Sequence, residues 1–357
     1  MSTLGEATAI RHTVSEYHVY HEGEEHVCLI PFLDITKEFG YKKRHHKWLA
    51  DDYASRNRRC NDSNSYFIHR PVLAFHDPPR TLLRGSHKLG KPICIINSSA
   101  FWRDWNIQFV PNPEKIIDRR GVVKWEHRTR LDNRSTKDDR VLKGYKVRSW
   151  RIWGETGAAY HRSVNARRKA LREEGKEENI TYEPAMADEA VHLKWTSPFT
   201  SPRRYSFTYG GIAFFWEGTR DLPGDVWSKR LMPLNHLKLI GQIPGREKIF
   251  LAHYRSDFSS KKFGRLLVFD SAISRLLEES GNTALGMSQD VGENENPFVA
   301  EHTQPERGVK NTKLYDLVMA TSMCMVIGEW QKRLTIWFVV VMLVQTGNGM
   351  TLAGGGG

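Results

Sequence analysis

The chain has 357 residues, 39% of them hydrophobic and 26% charged, enough apolar content for a sizeable core in one large or two ordinary domains. Its net charge of +12 points toward anionic partners, while four widely spaced cysteines (Cys28, Cys60, Cys94, Cys324) exclude a disulfide framework and a CxxC zinc ribbon. The first residues hold no apolar run of signal-sequence type, so an intracellular, cytoplasmic protein is expected. The sequons at Asn61, Asn97, Asn133 and Asn179 are then expected to stay unmodified.

Residues 1–64 read as a polar, weakly ordered N-terminal region, with a basic run from Lys42 to Lys47 and a turn-rich stretch from Arg56 to Asn64. Only Val27 to Leu33 looks buried there, as a lone strand or the start of a short helix. A single β-rich domain is predicted over residues 65–344, beginning at Tyr66-Phe67-Ile68. Strand-like runs recur at Thr81 to Leu83, Pro92 to Asn97, Trp105 to Val110, Gly121 to Glu126, Lys143 to Trp153 and Val191 to Trp195. Proline, glycine and asparagine punctuate most of the gaps between them.

An inserted helix is predicted near 156–174, with Tyr160, Val164 and Leu171 on one side, arginines around them and a stop at Gly175. The acidic run from Gly175 to Glu189 is a loop. The clearest β signal follows. Phe207, Tyr209, Phe214 and Trp216 flank Gly210-Gly211, the dipeptide of a tight hairpin whose central residues both need φ > 0. His236 to Ile240 and Lys248 to Tyr254 bracket the turn signal Pro244-Gly245, and Arg265 to Phe269 is a further strand. Asp270 or Ser271 is placed to cap a short helix through Leu277. A flexible linker is expected at 281–308, a core helix at 313–333 and a disordered tail at 345–357.

Leu317 to Gly328 carries no charge, and a helix apolar on every side must be buried, in protein or in lipid. Glu329, Lys332 and Arg333 interrupt it before a second apolar run, Leu334 to Val344. Those eleven residues reach about 16 Å, short of a ~30 Å hydrocarbon core. A central core helix is therefore the better reading, with a membrane-contact or tail-anchor element as the alternative for the second half. The fold class is α+β, mainly antiparallel β: a β-barrel or strongly curved sheet around a hydrophobic C-terminal helix.

Charge is concentrated between Lys115 and Lys176, where 19 Lys and Arg face 8 Asp and Glu, a net +11 that is nearly the whole excess. Arg119, Arg120, Arg148, Arg151, Arg167 and Arg168 are the candidate anionic-ligand residues of this stretch. A solvated basic face is the plainer explanation for the same composition. Trp102, Trp105, Trp125, Trp150 and Trp153, interleaved with arginine, would serve to stack on bases, but at strand spacing they belong more often to a core.

No phosphate-cradling loop is present, nor any GxSxG, HExxH or GxGxxG pattern, so no cofactor is expected. Nine of the fifteen histidines precede Ile93 without a metal-ligand frame, and no metal is expected. His127, His161, His236 and His253 lie on strand or helix patterns and read as structural groups. Cys94 and Cys324 lie in apolar runs, where burial keeps a thiol protonated and inert.

Phe101 to Phe109, Asp118 to Trp125, Trp150 to Gly157, Leu234 to Leu239 and the helix Lys313 to Arg333 resemble blocks of an uncharacterised filamentous-fungal protein family, over about residues 80–335. No function travels with that resemblance. The order of elements, many strands and then one apolar C-terminal helix, also resembles the tubby C-terminal, phospholipid scramblase and LURP-one-like group. That resemblance implies a closed antiparallel barrel threaded by a hydrophobic helix and, for tubby-type members, phosphoinositide binding. Their basic ligand residues have no one-to-one match here, and none is carried over.

Three functional readings follow, in order of preference. The first is a non-catalytic binding domain at anionic, phosphoinositide-containing membrane surfaces, with peripheral attachment through two signals; another protein is the second partner class. The next is nucleic-acid binding through one contiguous stripe of the six arginines. The last is an enzyme with a small-molecule pocket in the barrel.

Overall fold

The computed structural model describes residues 13–22, 26–34, 37, 64–69, 80–87, 89–98, 104–110, 112–117, 139–142, 154–175, 185–196, 204–219, 236–257, 262–281 and 306–352. Twelve strands form a meander that closes on itself. They are β1 (Val14–Glu22), β2 (His26–Ile30), β3 (Tyr66–His69), β4 (Arg80–Arg84), β5 (Lys91–Ser98), β6 (Asp104–Phe109), β7 (Glu189–Trp195), β8 (Arg204–Tyr209), β9 (Ile212–Thr219), β10 (His236–Gln242), β11 (Lys248–Ser256) and β12 (Lys262–Phe269). Each pairs antiparallel with its chain neighbours, and β12 pairs back onto β1 with Val14 opposite Phe269. Among the described strands, closure leaves no edge open for another chain.

Period-two alternation decides which side chains fill the barrel. On β1, Tyr17 and Val19 point inward, and on β10 Leu237 and Leu239 do the same. Trp105, Phe214, Trp216 and Tyr254 supply the bulk of the interior, each at most 1% exposed. The β8–β9 turn is the hairpin expected, with Gly210 at φ 56 and Gly211 at φ 80 between the paired residues Tyr209 and Ile212. β-Bulges shift the register at Val19/Tyr20, Leu82/Leu83 and Leu239/Ile240, where the strands bend to close the ring.

Five helices accompany the barrel among the described residues: α1 (Pro113–Ile116), α2 (Gly154–Glu173), α3 (Asp270–Ser280), α4 (Glu306–Lys310) and α5 (Lys313–Leu352). The residues of α5 from Leu314 to Ile327 share one hydrophobic cluster with the inward side chains of the strands. Leu317, Val318, Met319 and Ala320 are consecutive and each at most 1% exposed, so that part of the helix is covered on every side. The helix touches β5 and β6 on one side of the ring and β11 and β12 on the other. Its Thr321 and Ser322 hydroxyls donate to the Val318 carbonyl, which satisfies both without a partner on the wall.

Four expectations need correction. The N-terminal region is not outside the folded body, because β1 and β2 are barrel strands and β1 is the one that closes it. Tyr17, Val19, Val27 and Leu29 are buried, while the residues between them include histidines and acids, which keep the mean hydropathy of the segment low. The second correction concerns α5, which is one helix through Leu352 rather than a helix ending near 333 followed by a disordered tail from 345. Glu329, Lys332 and Arg333 are good helix formers, so their charge interrupts the apolar run without interrupting the backbone.

Third, α3 runs to Ser280, and neither Asp270 nor Ser271 is its cap. Phe269 holds that position with no side-chain cap bond. β12 passes directly into the helix, and the Asp270 carboxylate instead accepts the Ser15 hydroxyl at 2.6 Å and pairs with Lys310 Nζ at 3.7 Å. Fourth, α4 occupies Glu306–Lys310, overlapping the end of the span 281–308 expected to be linker. The helix predicted near 156–174 is α2. The strands predicted at Gly121 to Glu126 and Lys143 to Trp153 lie outside the described residues, as do residues 282–305.

Candidate membrane and anion contact surfaces

Of the six candidate arginines, Arg119, Arg120, Arg148 and Arg151 lie outside the described residues. Arg167 and Arg168 are exposed on α2. Successive residues of a helix point about 100° apart, so these two do not share a face. Arg168 groups instead with Arg162, Lys169 and Arg172, all exposed, across an arc of about 120° on the same wheel. Glu173 lies at the edge of that arc, 3.8 Å from Lys169. Reading the segment by helical period rather than by charge count would have picked Arg162, Lys169 and Arg172 over Arg167.

A second concentration of charge lies where α5 begins, and there the charges are used up among themselves. Arg84, at the end of β4, donates to the Asp316 carboxylate at 2.6 Å, to the Lys310 carbonyl at 3.2 Å and to Asn311 Oδ1 at 3.0 Å, with its guanidinium over the Tyr66 ring. Lys313 pairs with Glu189 at 3.3 Å, and Glu189 also accepts the Tyr209 hydroxyl at 2.5 Å. The hydroxyls of Tyr17 and Tyr315 bond to each other at 2.9 Å across the wall–helix boundary. Burial pushes the Tyr17 phenol up to about 12 and raises Tyr66 and Tyr315 as well, so all three stay neutral donors.

This network ties the start of α5 to β1, β3 and β4. Beside it lies a depression of about 90 Å³, lined by Arg84, Lys91, Ile93, Asp188, Lys313 and Asp316 among others. Pockets for drug-sized ligands run to roughly 300–1,000 Å³, so this one is too small for such a molecule.

Among the described residues, no group of three or more His, Cys, Asp or Glu side chains is placed to hold a metal ion. His26 and His69 stack at 4.5 Å, each at most 2% exposed, on the outer side of β2 and β3. Cys94 and Cys324 are fully buried, and that burial raises both thiols, which keeps them protonated.

His236 and His253 face out from the barrel, alternating with the core residues Leu237 and Tyr254. Burial, followed by His236, Lys238 and Arg255, holds His253 at about 4. Burial and then Arg255 lower His236, with Asp257 opposing. A histidine with a depressed folded value contributes its stability above the unfolded value of about 6.5, and that contribution is lost as pH falls through the folded value. The melting temperature of the protein is therefore expected to drop as pH is lowered from about 6.5 toward 4, and His253→Gln should flatten that slope in parallel melts. Identical pH profiles for the two proteins would remove His253 as the cause.

Beyond Gln331, Thr335 and residues 342–345 of α5 are exposed. Phe338 is 63% exposed, Met342 47%, Leu343 66% and Val344 57%. Leu343, Val344 and Gln345 are consecutive and all exposed, so exposure there is not confined to one face of the helix. Among the described residues no helix is long and apolar enough to cross a membrane. Compared with family models, curated proteins and solved structures, the chain matches none.

Proposed function

We propose that this chain is a non-catalytic binding module that acts at anionic, phosphoinositide-containing membrane surfaces, on a barrel plugged by the first half of α5. The observation that carries the reading is the exposed basic arc Arg162, Arg168, Lys169 and Arg172 on α2. Clustered cations near an anionic leaflet contribute about 1 kcal/mol each and act within a Debye length. The plug is supported by the burial of Leu317 to Ala320 on every side and by contacts of α5 to opposite walls of the ring. The same arrangement supports kinship in fold with the tubby C-terminal, phospholipid scramblase and LURP-one-like group.

Liposome flotation tests the reading. The protein should float with vesicles containing phosphatidylserine or phosphoinositide, not with phosphatidylcholine alone, and should detach progressively as salt is raised. Arg168→Gln combined with Arg172→Gln removes two cations and should weaken binding about 30-fold, the equivalent of ~2 kcal/mol. Absence of salt-sensitive binding to any anionic vesicle would retire the membrane reading. Tighter, steeply salt-dependent binding to a generic DNA duplex would replace it with nucleic-acid recognition.

A further inference from the structure

We infer that the segment Leu334 to Val344 of α5 inserts into one leaflet of a lipid bilayer and that lipid chains are its physiological cover. The inference rests on the membrane reading above and adds how the protein is held there. A helix that docks on a protein surface buries one stripe and leaves the opposite face polar. This segment has no polar face: apart from Thr335, every residue from Leu334 to Val344 is apolar or aromatic. Phe338 and Val344 lie on well-separated sides of the helix, and both are more than half exposed. Only surroundings that close round the whole helix satisfy it.

Length and charge select lipid. Eleven residues rise about 16 Å, close to half of a ~30 Å hydrocarbon core, so the segment matches one leaflet and not two. Lys332 and Arg333 fall in the helical turn immediately before it, the level of the headgroups when the apolar part is immersed, and cations there complement an anionic surface. No charged residue lies within Leu334 to Val344. The helix is continuous from its buried half, so an inserted outer half is anchored to the barrel core without a hinge. An electrostatic contact alone is reversible and salt-sensitive, and a second, apolar signal makes attachment stable.

The test uses the full chain with Cys60→Ser and Phe338→Cys, labelled at position 338 with an environment-sensitive fluorophore. The remaining cysteines, Cys28, Cys94 and Cys324, are buried. Mixed phosphatidylcholine–phosphatidylserine vesicles should shift the emission to the blue, and bromines on the acyl chains should quench it. Phe338→Glu with Val344→Glu should melt as the wild type does, since both sites are exposed, yet bind vesicles at least about tenfold more weakly. The fraction that stays bound in high salt should disappear.

Vesicle binding with the label still in water, and with the double variant binding normally, overturns insertion and leaves the membrane reading standing. Failure to bind any vesicle removes both. A blue shift that needs only higher protein concentration, accompanied by a larger sedimenting species that Phe338→Glu with Val344→Glu breaks up, overturns the inference in favour of a second copy of this chain as the cover.

Discussion

Val318→Asp is expected to leave the protein unfolded and insoluble. Val318 is 1% exposed, and its neighbours Leu317 and Met319 are as deeply buried, so the new carboxylate has no side of the helix on which to reach water. An unpaired buried charge costs several kcal/mol, comparable with the whole ~5–15 kcal/mol by which a domain is stable. Met325→Lys should behave in the same way, whereas Met325→Leu, nearly equal in volume, should cost less than about 1.5 kcal/mol. Truncation after Gly308 removes α5 altogether and should also give insoluble protein, since the apolar inner faces of twelve strands would lose what covers them. A soluble truncated barrel with a cooperative melt would show that α5 is not the plug.

Gly264→Ala should destabilise the barrel by about 3 kcal/mol or more, lowering its melting temperature by several degrees. Gly264 has φ +152, a backbone conformation that side-chain-bearing residues rarely adopt, and an added Cβ would lie 2.1 Å from the Arg255 carbonyl oxygen. That contact is with the backbone of the neighbouring strand, so no side chain can swing away to relieve it. Gly264 pairs with Ser256 on β11 and with Val19 on β1, beside the bulge at Val19/Tyr20. The clash therefore falls between β11 and β12, on the strand that closes the ring against β1. Gly245→Ala is the comparison. It has φ +77 but nothing within 4 Å of the added carbon, so only the conformational cost of about 1–2 kcal/mol remains. Equal melting shifts for the two variants would show that the close approach at Gly264 is not what that position requires.

Legibility in the sequence followed the range of the interaction. The β8–β9 hairpin was readable because a two-residue turn and its flanking pairs lie within a dozen residues. The spans of β4 to β7 and β10 to β12, and the extent of α2, were readable from period and punctuation for the same reason. The all-round apolar composition of Leu317 to Gly328 required a surrounding environment before any environment was known. Of the basic surface, composition placed the charge between Lys115 and Lys176, and the helical period of α2 groups Arg168 with Arg162, Lys169 and Arg172, which a count of charges does not.

By itself, then, the sequence determined an antiparallel, meandering sheet, an inserted helix and an apolar helix that must be enclosed, because each depends on local pattern. Tertiary structure alone decided that β1 and β2 belong to the barrel, since Val14 meets Phe269 across most of the chain and nothing near either residue names its partner. It also decided that Arg84 is taken by Asp316 and Asp270 by Ser15 and Lys310. And it decided where α5 passes from buried to exposed, because the same apolar residues suit a protein interior and a bilayer equally.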